Sequence, residues 1–172
     1  MPDLSYELIK ESMKYSASGE ELFQIKAVRD IPGASVKKGD LGGWIGKYAK
    51  LLGDAWISGD AWISGNARVS DNALVHGNAQ VYGNALVYGN ALVYGDDIIK
   101  GGNGLVNIIN PSGYSITVTK KYFYVGCRQF PIGSIQKNLF TIAIRYGFSE
   151  SQYKNYKRVI ISAMKLINIE DN

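Results

Sequence analysis

Side chains able to do acid–base or metal chemistry are scarce in this sequence of 172 residues, in which His76 is the only histidine and Cys127 the only cysteine. A zinc site would have to be built almost entirely from carboxylates, so structural zinc is not expected. A single cysteine also excludes a disulfide within the chain. His76 remains as the one candidate general base, a role that requires hydrogen-bond reach of the proton to be removed.

Aromatic and basic side chains form a second group of candidate functional residues, in this case for ligand binding. Aromatic rings can stack on nucleobases, and lysine or arginine can bind phosphate groups. The candidates for stacking are Trp56, Trp62, Tyr88 and Tyr94, and those for charge are Lys50, Arg68 and Lys100. Each also has a simpler interpretation, as a packed aromatic residue or a solvated cation. The elements that would position them decide between these interpretations.

Most of these residues lie in a repeat with a period of six. From Ala49 the units read AKLLGD, AWISGD, AWISGN, ARVSDN, ALVHGN, AQVYGN, ALVYGN, ALVYGD and DIIKGG. The first position is alanine in eight of nine units, the third is always aliphatic, and the fifth is glycine in all but one. A period of six fits neither an amphipathic helix nor a series of hairpins. It predicts short strands with inward alanine and aliphatic residues, joined by glycine-containing corners, with three units in each coil.

Three units in each coil would stack outward residues at a spacing of eighteen and create three faces. The first face carries Lys50, Arg68 and Leu86, with Tyr88 beside them. The second face carries Trp56, Leu74 and Leu92, with His76 and Tyr94 beside them. The third face carries Trp62, Gln80 and Ile98, with Tyr82 and Lys100 beside them. The second would expose a continuous apolar column, which monomers seldom tolerate. This column is therefore predicted to be a subunit interface, and coverage by the C-terminal helices is the alternative.

The segments on either side predict caps for the ends of the repeat. SYELIKES and ELFQIKAVRD are interpreted as strands before it, and GLVNIIN and YSITVTKKYFYVGC as strands after it, with a turn at Pro111, Ser112 and Gly113. Helices are predicted from Ser134 to about Tyr146 and after a capping box of Ser149 and Gln152. The predicted organisation is a β cap (1–42), the repeat (43–102), a β-strand extension (103–133) and a helical pair (134–172). Asp97, which replaces the alanine of the last unit, predicts the end of the repeat there.

Residues 43–102 resemble the hexapeptide-repeat family, whose members form left-handed parallel β-helices and often assemble as trimers. In this chain the glycine lies two places after the aliphatic residue rather than the commoner one place. The resemblance implies a mainly β fold: a left-handed parallel β-helix of about three coils with strand caps and two C-terminal α-helices. Acyltransferases of this family use a histidine near a subunit boundary as general base, which implies His76 with acetyl-CoA as the alternative function. No loop interrupts residues 49–102 to hold an acyl acceptor.

The flanks LFQIKAVRDIPGASVKKGDLGGWI and YFYVGCRQFPIGSIQ look like a group of phage and prophage-encoded hexapeptide proteins, some of them named as transferases. The role of this group is poorly defined. The resemblance, together with the lack of a convincing catalytic set, favours a non-catalytic accessory protein with an anti-defence role and no cofactor, assembled as a homotrimer like members of the hexapeptide-repeat family. Such a protein would sequester a nucleotide signal or occlude a host defence protein. The ligand-binding candidates are then Lys50, Arg68, Tyr88, Tyr94 and Lys100, with Trp56, Leu74 and Leu92 at the oligomer interface.

Charge and hydropathy limit further which kinds of partner are expected. The net charge is +4, and residues 103–172 carry nine basic against three acidic side chains. This excess could attract an anionic partner or belong to a solvated helix face. No nucleic-acid recognition module is recognisable and the excess is modest, so nucleic acid is not the expected partner. The absence of a secretion signal or a long apolar run predicts a cytoplasmic protein without a membrane partner, in the host cell if phage-encoded.

Overall fold

The computed structural model describes residues 4–101, 105–108, 116–125, 128–145 and 147–167. The chain divides into two compact units, the first ending at Gly104 and the second beginning at Leu105. The first unit contains the repeat, and the second contains both α-helices. Among the described residues, no helix has the length and hydropathy needed to cross a membrane.

The first unit is a three-turn parallel β-solenoid, as the period of six predicts. Strands of successive turns pair in parallel register, so that Leu74 lies between Trp56 and Leu92. The strands are β1 (Tyr6–Tyr15), β2 (Glu21–Ala27), β3 (Leu41–Gly46), β4 (Lys50–Leu51), β5 (Trp56–Ile57), β6 (Trp62–Ile63), β7 (Arg68–Val69), β8 (Leu74–Val75), β9 (Gln80–Tyr82), β10 (Leu86–Val87), β11 (Leu92–Val93) and β12 (Ile98–Lys100). They form a first sheet in the order β1-β2-β3-β6-β9-β12, a second of β4, β7 and β10, and a third of β5, β8 and β11.

The solenoid interior is filled by the first and third positions of each unit. Every alanine at the first position from Ala55 to Ala91 is 0% exposed, as is every third-position aliphatic from Ile57 to Ile99. One small and one branched side chain per unit fit the narrow interior, which explains why these two positions vary so little. The predicted inward assignment is confirmed.

The corners use the left-handed backbone that glycine adopts at little cost. Asp71 takes the place of the glycine in one unit and still has a φ of 63°. Its Oδ2 accepts a hydrogen bond of 2.8 Å from the N–H of Gly89, one turn further along the solenoid. Aspartate tolerates this backbone better than most residues because its short side chain can bond locally. The hydrogen bond explains how the corner is retained without glycine.

The N-terminal segment extends the solenoid instead of forming a separate layer. β1 and β2 form an antiparallel hairpin, and β2 pairs with β3, which in turn pairs in parallel with β6. Leu22, Ile25 and Ile31 are each 0% exposed. The predicted cap strands are confirmed, and they belong to the same sheet as the repeat.

The repeat continues through the unit that begins with Asp97. This residue occupies the inward alanine position and is 0% exposed, and its Oδ1 accepts a hydrogen bond of 3.0 Å from the N–H of Ile98. β12 follows directly and is the last strand of the first sheet. The substitution therefore marks the final strand of the solenoid.

The second unit combines a four-stranded antiparallel sheet with two helices. Its elements are β13 (Leu105–Ile108), β14 (Ile116–Thr119), β15 (Tyr122–Val125), β16 (Arg128–Pro131), α1 (Ile135–Arg145) and α2 (Glu150–Leu166). The capping box at the start of α2 is confirmed, since Ser149 Oγ accepts from Gln152 N–H and Gln152 Oε1 accepts from Ser149 N–H. The strands and both helices share one core, so the predicted extension and helical pair form a single unit. The predicted turn at Pro111, Ser112 and Gly113 lies outside the described residues.

Candidate functional site

The five predicted ligand-binding residues lie on three sides of the solenoid. Lys50 and Arg68 are opposite each other on β4 and β7, and the exposed Tyr88 follows β10 of the same sheet. Tyr94 follows β11 in the third sheet, and Lys100 ends β12 in the first. The fold therefore brings Lys50, Arg68 and Tyr88 to one sheet and separates them from Tyr94 and Lys100.

His76 stacks on Tyr94, with ring centroids 4.9 Å apart and an interplanar angle of 11°. Burial lowers the pKa of the His76 imidazole below its usual value, which favours the neutral ring at pH 7. No side-chain hydrogen bond or ion pair to His76 occurs in the part of the chain that the structure describes. A catalytic histidine normally has such a partner to orient it. The geometry is that of a packed ring.

The outer side of the first sheet carries a cluster that we call the tryptophan face: Trp44, Trp62, Tyr82, Lys14 and Lys100. Trp44 and Trp62 are neighbours on β3 and β6, and Trp62 stacks on Tyr82 with centroids 5.6 Å apart. Lys100 Nζ lies 5.9 Å from the Tyr82 ring centroid. Lys14 Nζ lies 4.5 Å from that of Trp44. Two cations thus flank three aromatic rings on one sheet.

Lys14 is held in place on the tryptophan face by a second contact. Its Nζ donates a hydrogen bond of 3.2 Å to the carbonyl oxygen of Asp60. Partial burial lowers the pKa of Lys14, and the nearby Asp60 carboxylate opposes this shift. The sequence predicts Trp62 and Lys100 on this side because of their spacing of eighteen from Gln80 and Tyr82. It does not predict Lys14, since that residue arrives from a hairpin outside the repeat.

The predicted interface column is less exposed than the sequence suggests. Trp56 is 3% exposed in the single chain, whereas Leu74 and Leu92 are half-buried. Trp56 is therefore already a core residue, and the expectation that it faces water is not met. Leu86 and Tyr88 of the second sheet are more exposed, at 48% and 52%. Self-association through the column stays a prediction, with Leu74 as its most informative position.

We expect replacement of Leu74 with Arg to reduce the oligomer to a smaller particle while the β-rich circular dichroism is retained. An arginine here would place an unpaired charge at the centre of the predicted interface, which is strongly unfavourable. Light scattering of Leu74→Arg and of the matched variant Leu86→Arg tests this. An unchanged mass for Leu74→Arg would contradict the prediction. Dissociation of Leu86→Arg alone would place the interface on the second sheet.

A separate cavity of about 310 Å³ lies beside the N-terminal hairpin, with apolar walls from Tyr6, Leu8, Phe23 and Tyr48. Glu20, at its edge, accepts a hydrogen bond of 2.8 Å from the N–H of Gly65 through Oε2. Its Oε1 is buried and accepts no hydrogen bond from the described residues. Two glutamates and one lysine line the cavity, so it does not favour an anionic ligand. Sequence reasoning missed this cavity because the hairpin builds half of it.

Comparison with known proteins supports the repeat alone. A family model described as YdcK Beta solenoid repeat matches residues 61–77 and 79–95. No curated protein and no solved structure gave a significant match to the chain. Together with the three-turn solenoid, the matched segments identify a β-solenoid repeat. The match covers a minor part of the chain and leaves its function open.

Proposed function

We propose that this protein is a non-catalytic binding protein that sequesters an anionic ligand containing an aromatic base, such as a nucleotide signal. The observation that carries the proposal is the tryptophan face, where two lysines flank Trp44, Trp62 and Tyr82. In keeping with the phage-type resemblance, the protein would act in the host cytoplasm as an anti-defence accessory. It would do so as a homo-oligomer, most simply a trimer.

The chemistry of the tryptophan face fits both parts of a nucleotide. Base–aromatic stacking contributes about 1–3 kcal/mol per base, largely without regard to sequence. A lysine ammonium binds phosphate as a point charge. Trp44 and Tyr82 are half-buried and Trp62 is 9% exposed, so stacking would use the first two rings. Lys100 would move from the Tyr82 ring to a phosphate as the base takes its place, whereas Lys14, which donates to the Asp60 carbonyl oxygen, would contribute its charge from beside Trp44.

The competing form of the proposal is occlusion of a host defence protein by the second sheet. Tyr88 and Leu86 are half exposed there, and Arg68 lies opposite Leu86 in register. Tyrosine and arginine are enriched among the residues that dominate binding energy in protein interfaces. An acyltransferase reaction with acetyl-CoA is less well supported, because His76 is stacked on Tyr94 rather than paired with a polar group.

Calorimetry with cyclic and linear nucleotides tests sequestration. We expect heat of binding with the wild-type protein, lost in Lys100→Glu and kept in Lys50→Glu, because the same charge change at Lys50 falls on another sheet. Equal loss in both variants would indicate a general charge effect and contradict a site on the tryptophan face. Occlusion would be favoured by two results together. No heat of binding would be measured with any nucleotide, and a host protein would be captured stoichiometrically by the wild-type protein but not by Tyr88→Ala.

A further inference from the structure

The outward side of α2 carries four cations on one stripe, which we call the basic face: Lys154, Lys157, Arg158 and Lys165. Together with Ile161 and Ser162 they line an open groove of about 430 Å³. At 100° per residue these six positions fall within an arc about 140° wide. Lys154 and Lys165 are separated by about 16 Å along the helix axis, at 1.5 Å per residue. The cations therefore form a continuous strip rather than a scattered charge.

The basic face is only partly neutralised by neighbouring acids. Lys154 Nζ lies 2.6 Å from Glu150 Oε1, an i,i+4 pair on the same helix. Lys157, Arg158 and Lys165 have no ion pair among the residues that the structure describes. Three cations on one helix side, without an acidic partner in the described part of the chain, create a positive potential that attracts polyanions.

The opposite side of α2 is unsuited to insertion into a bilayer. Tyr156, Ile160, Ala163 and Met164 are buried in the core of the second unit. A helix that binds membranes through its surface must insert its apolar side among the lipid chains. In α2 most of that side is already used for folding, and only Val159 and Leu166 remain as exposed large apolar side chains.

The composition of the groove favours duplex over single-stranded nucleic acid. Binding of single strands relies on aromatic side chains on which bases stack, and the described lining of this groove contains none. Contacts from lysine, arginine and serine to phosphate oxygens suit a duplex backbone and read no sequence. We propose that the basic face of α2 binds the phosphate backbone of double-stranded nucleic acid without sequence preference. The sequence does not lead us to expect a nucleic-acid partner because it contains no recognition module, but backbone binding without sequence preference is electrostatic and needs none. This site is independent of the tryptophan face.

Fluorescence anisotropy with two unrelated DNA duplexes of about 20 base pairs tests the proposal. The three cations Lys157, Arg158 and Lys165, each neutralising one phosphate, give a slope of log affinity against log salt of about −2.7, so affinity should fall about 40-fold between 50 and 200 mM salt. Both duplexes should bind equally. In the combined variant Lys157→Gln, Arg158→Gln, Lys165→Gln, the slope should become shallower by about 2.7.

The matched control is Lys10→Gln, Lys38→Gln, Lys47→Gln, which removes the same charge from exposed positions of the first unit. It should keep the wild-type slope, and circular dichroism should show both variants folded. An equal change of slope in the control would overturn the proposal. So would tighter binding of a single strand, binding to vesicles of phosphatidylserine but not to duplex, or no duplex binding at 50 mM salt.

Discussion

Replacement of Val81 with Asp is expected to abolish the fold of the solenoid. Val81 is 0% exposed and lies on β9 between Ile63 of β6 and Ile99 of β12, which are also 0% exposed. A carboxylate at this position would have only aliphatic neighbours in the stack. Burial of an unpaired charge costs more than most single substitutions, which typically destabilise by about 0.5–3 kcal/mol. The effective penalty for burying one ion is several kcal/mol, which is comparable with the net stability of a domain of about 5–15 kcal/mol, so the solenoid should lose most or all of its stability.

Urea unfolding followed by far-ultraviolet circular dichroism measures this effect. Val81→Asp and the equivalent Val87→Asp should lose the cooperative transition of the solenoid. Gln80→Glu is the matched control, because Gln80 lies on the same strand and is half-buried on the outer side. It should change the free energy of unfolding by less than about 1 kcal/mol. A native transition in both aspartate variants would refute the inward assignment of the third position.

Replacement of Gly77 with Ala should have the second-largest effect. Gly77 has a φ of +73°, which costs an ordinary residue about 1–2 kcal/mol. An added Cβ would also lie 3.0 Å from the backbone nitrogen and 3.2 Å from the carbonyl oxygen of Gly95 in the next turn. These atoms belong to the stacked corners and cannot move independently. We expect a loss of about 2–4 kcal/mol from the two effects together.

Gly19→Ala separates the two causes. Gly19 has a φ of +84°, but an added Cβ would meet no atom within 4 Å. This variant should lose only the backbone cost of about 1–2 kcal/mol. Urea titrations of both variants give the comparison. Equal losses would show that the close approach of stacked corners does not constrain the solenoid.

The repeat predicts the fold well because each position has one physical task. Alanine and valine at fixed places determine which side chains face inward, and the structure confirms this for every unit from Ala55 to Ile99. The spacing of eighteen also predicts contacts such as His76 on Tyr94 and Leu74 beside Trp56. Within a regular repeat, neighbours in space follow directly from position in sequence.

Contacts with residues outside the repeat are not predictable in this way. Lys14 reaches Trp44 because a hairpin extends the first sheet, and no local pattern specifies that pairing. The near-complete burial of Trp56 is missed because outward positions are assumed to be solvated. Asp71 is recognised only as a break in the pattern, since its hydrogen bond to Gly89 depends on the next turn. The candidate site is therefore predicted in part, by its repeat residues alone.

The central claim is that the protein works by binding a ligand as an assembled solenoid. Native mass spectrometry of the protein purified from a host cell tests it most directly, because stoichiometry and retained ligand are measured together. We predict an oligomer, with a trimer at three times the chain mass of 18.9 kDa, and additional mass from a nucleotide that is absent in Lys100→Glu. The host cells must contain the nucleotide that binds in calorimetry. A monomer of 18.9 kDa with no additional mass, purified from such cells, would contradict the claim.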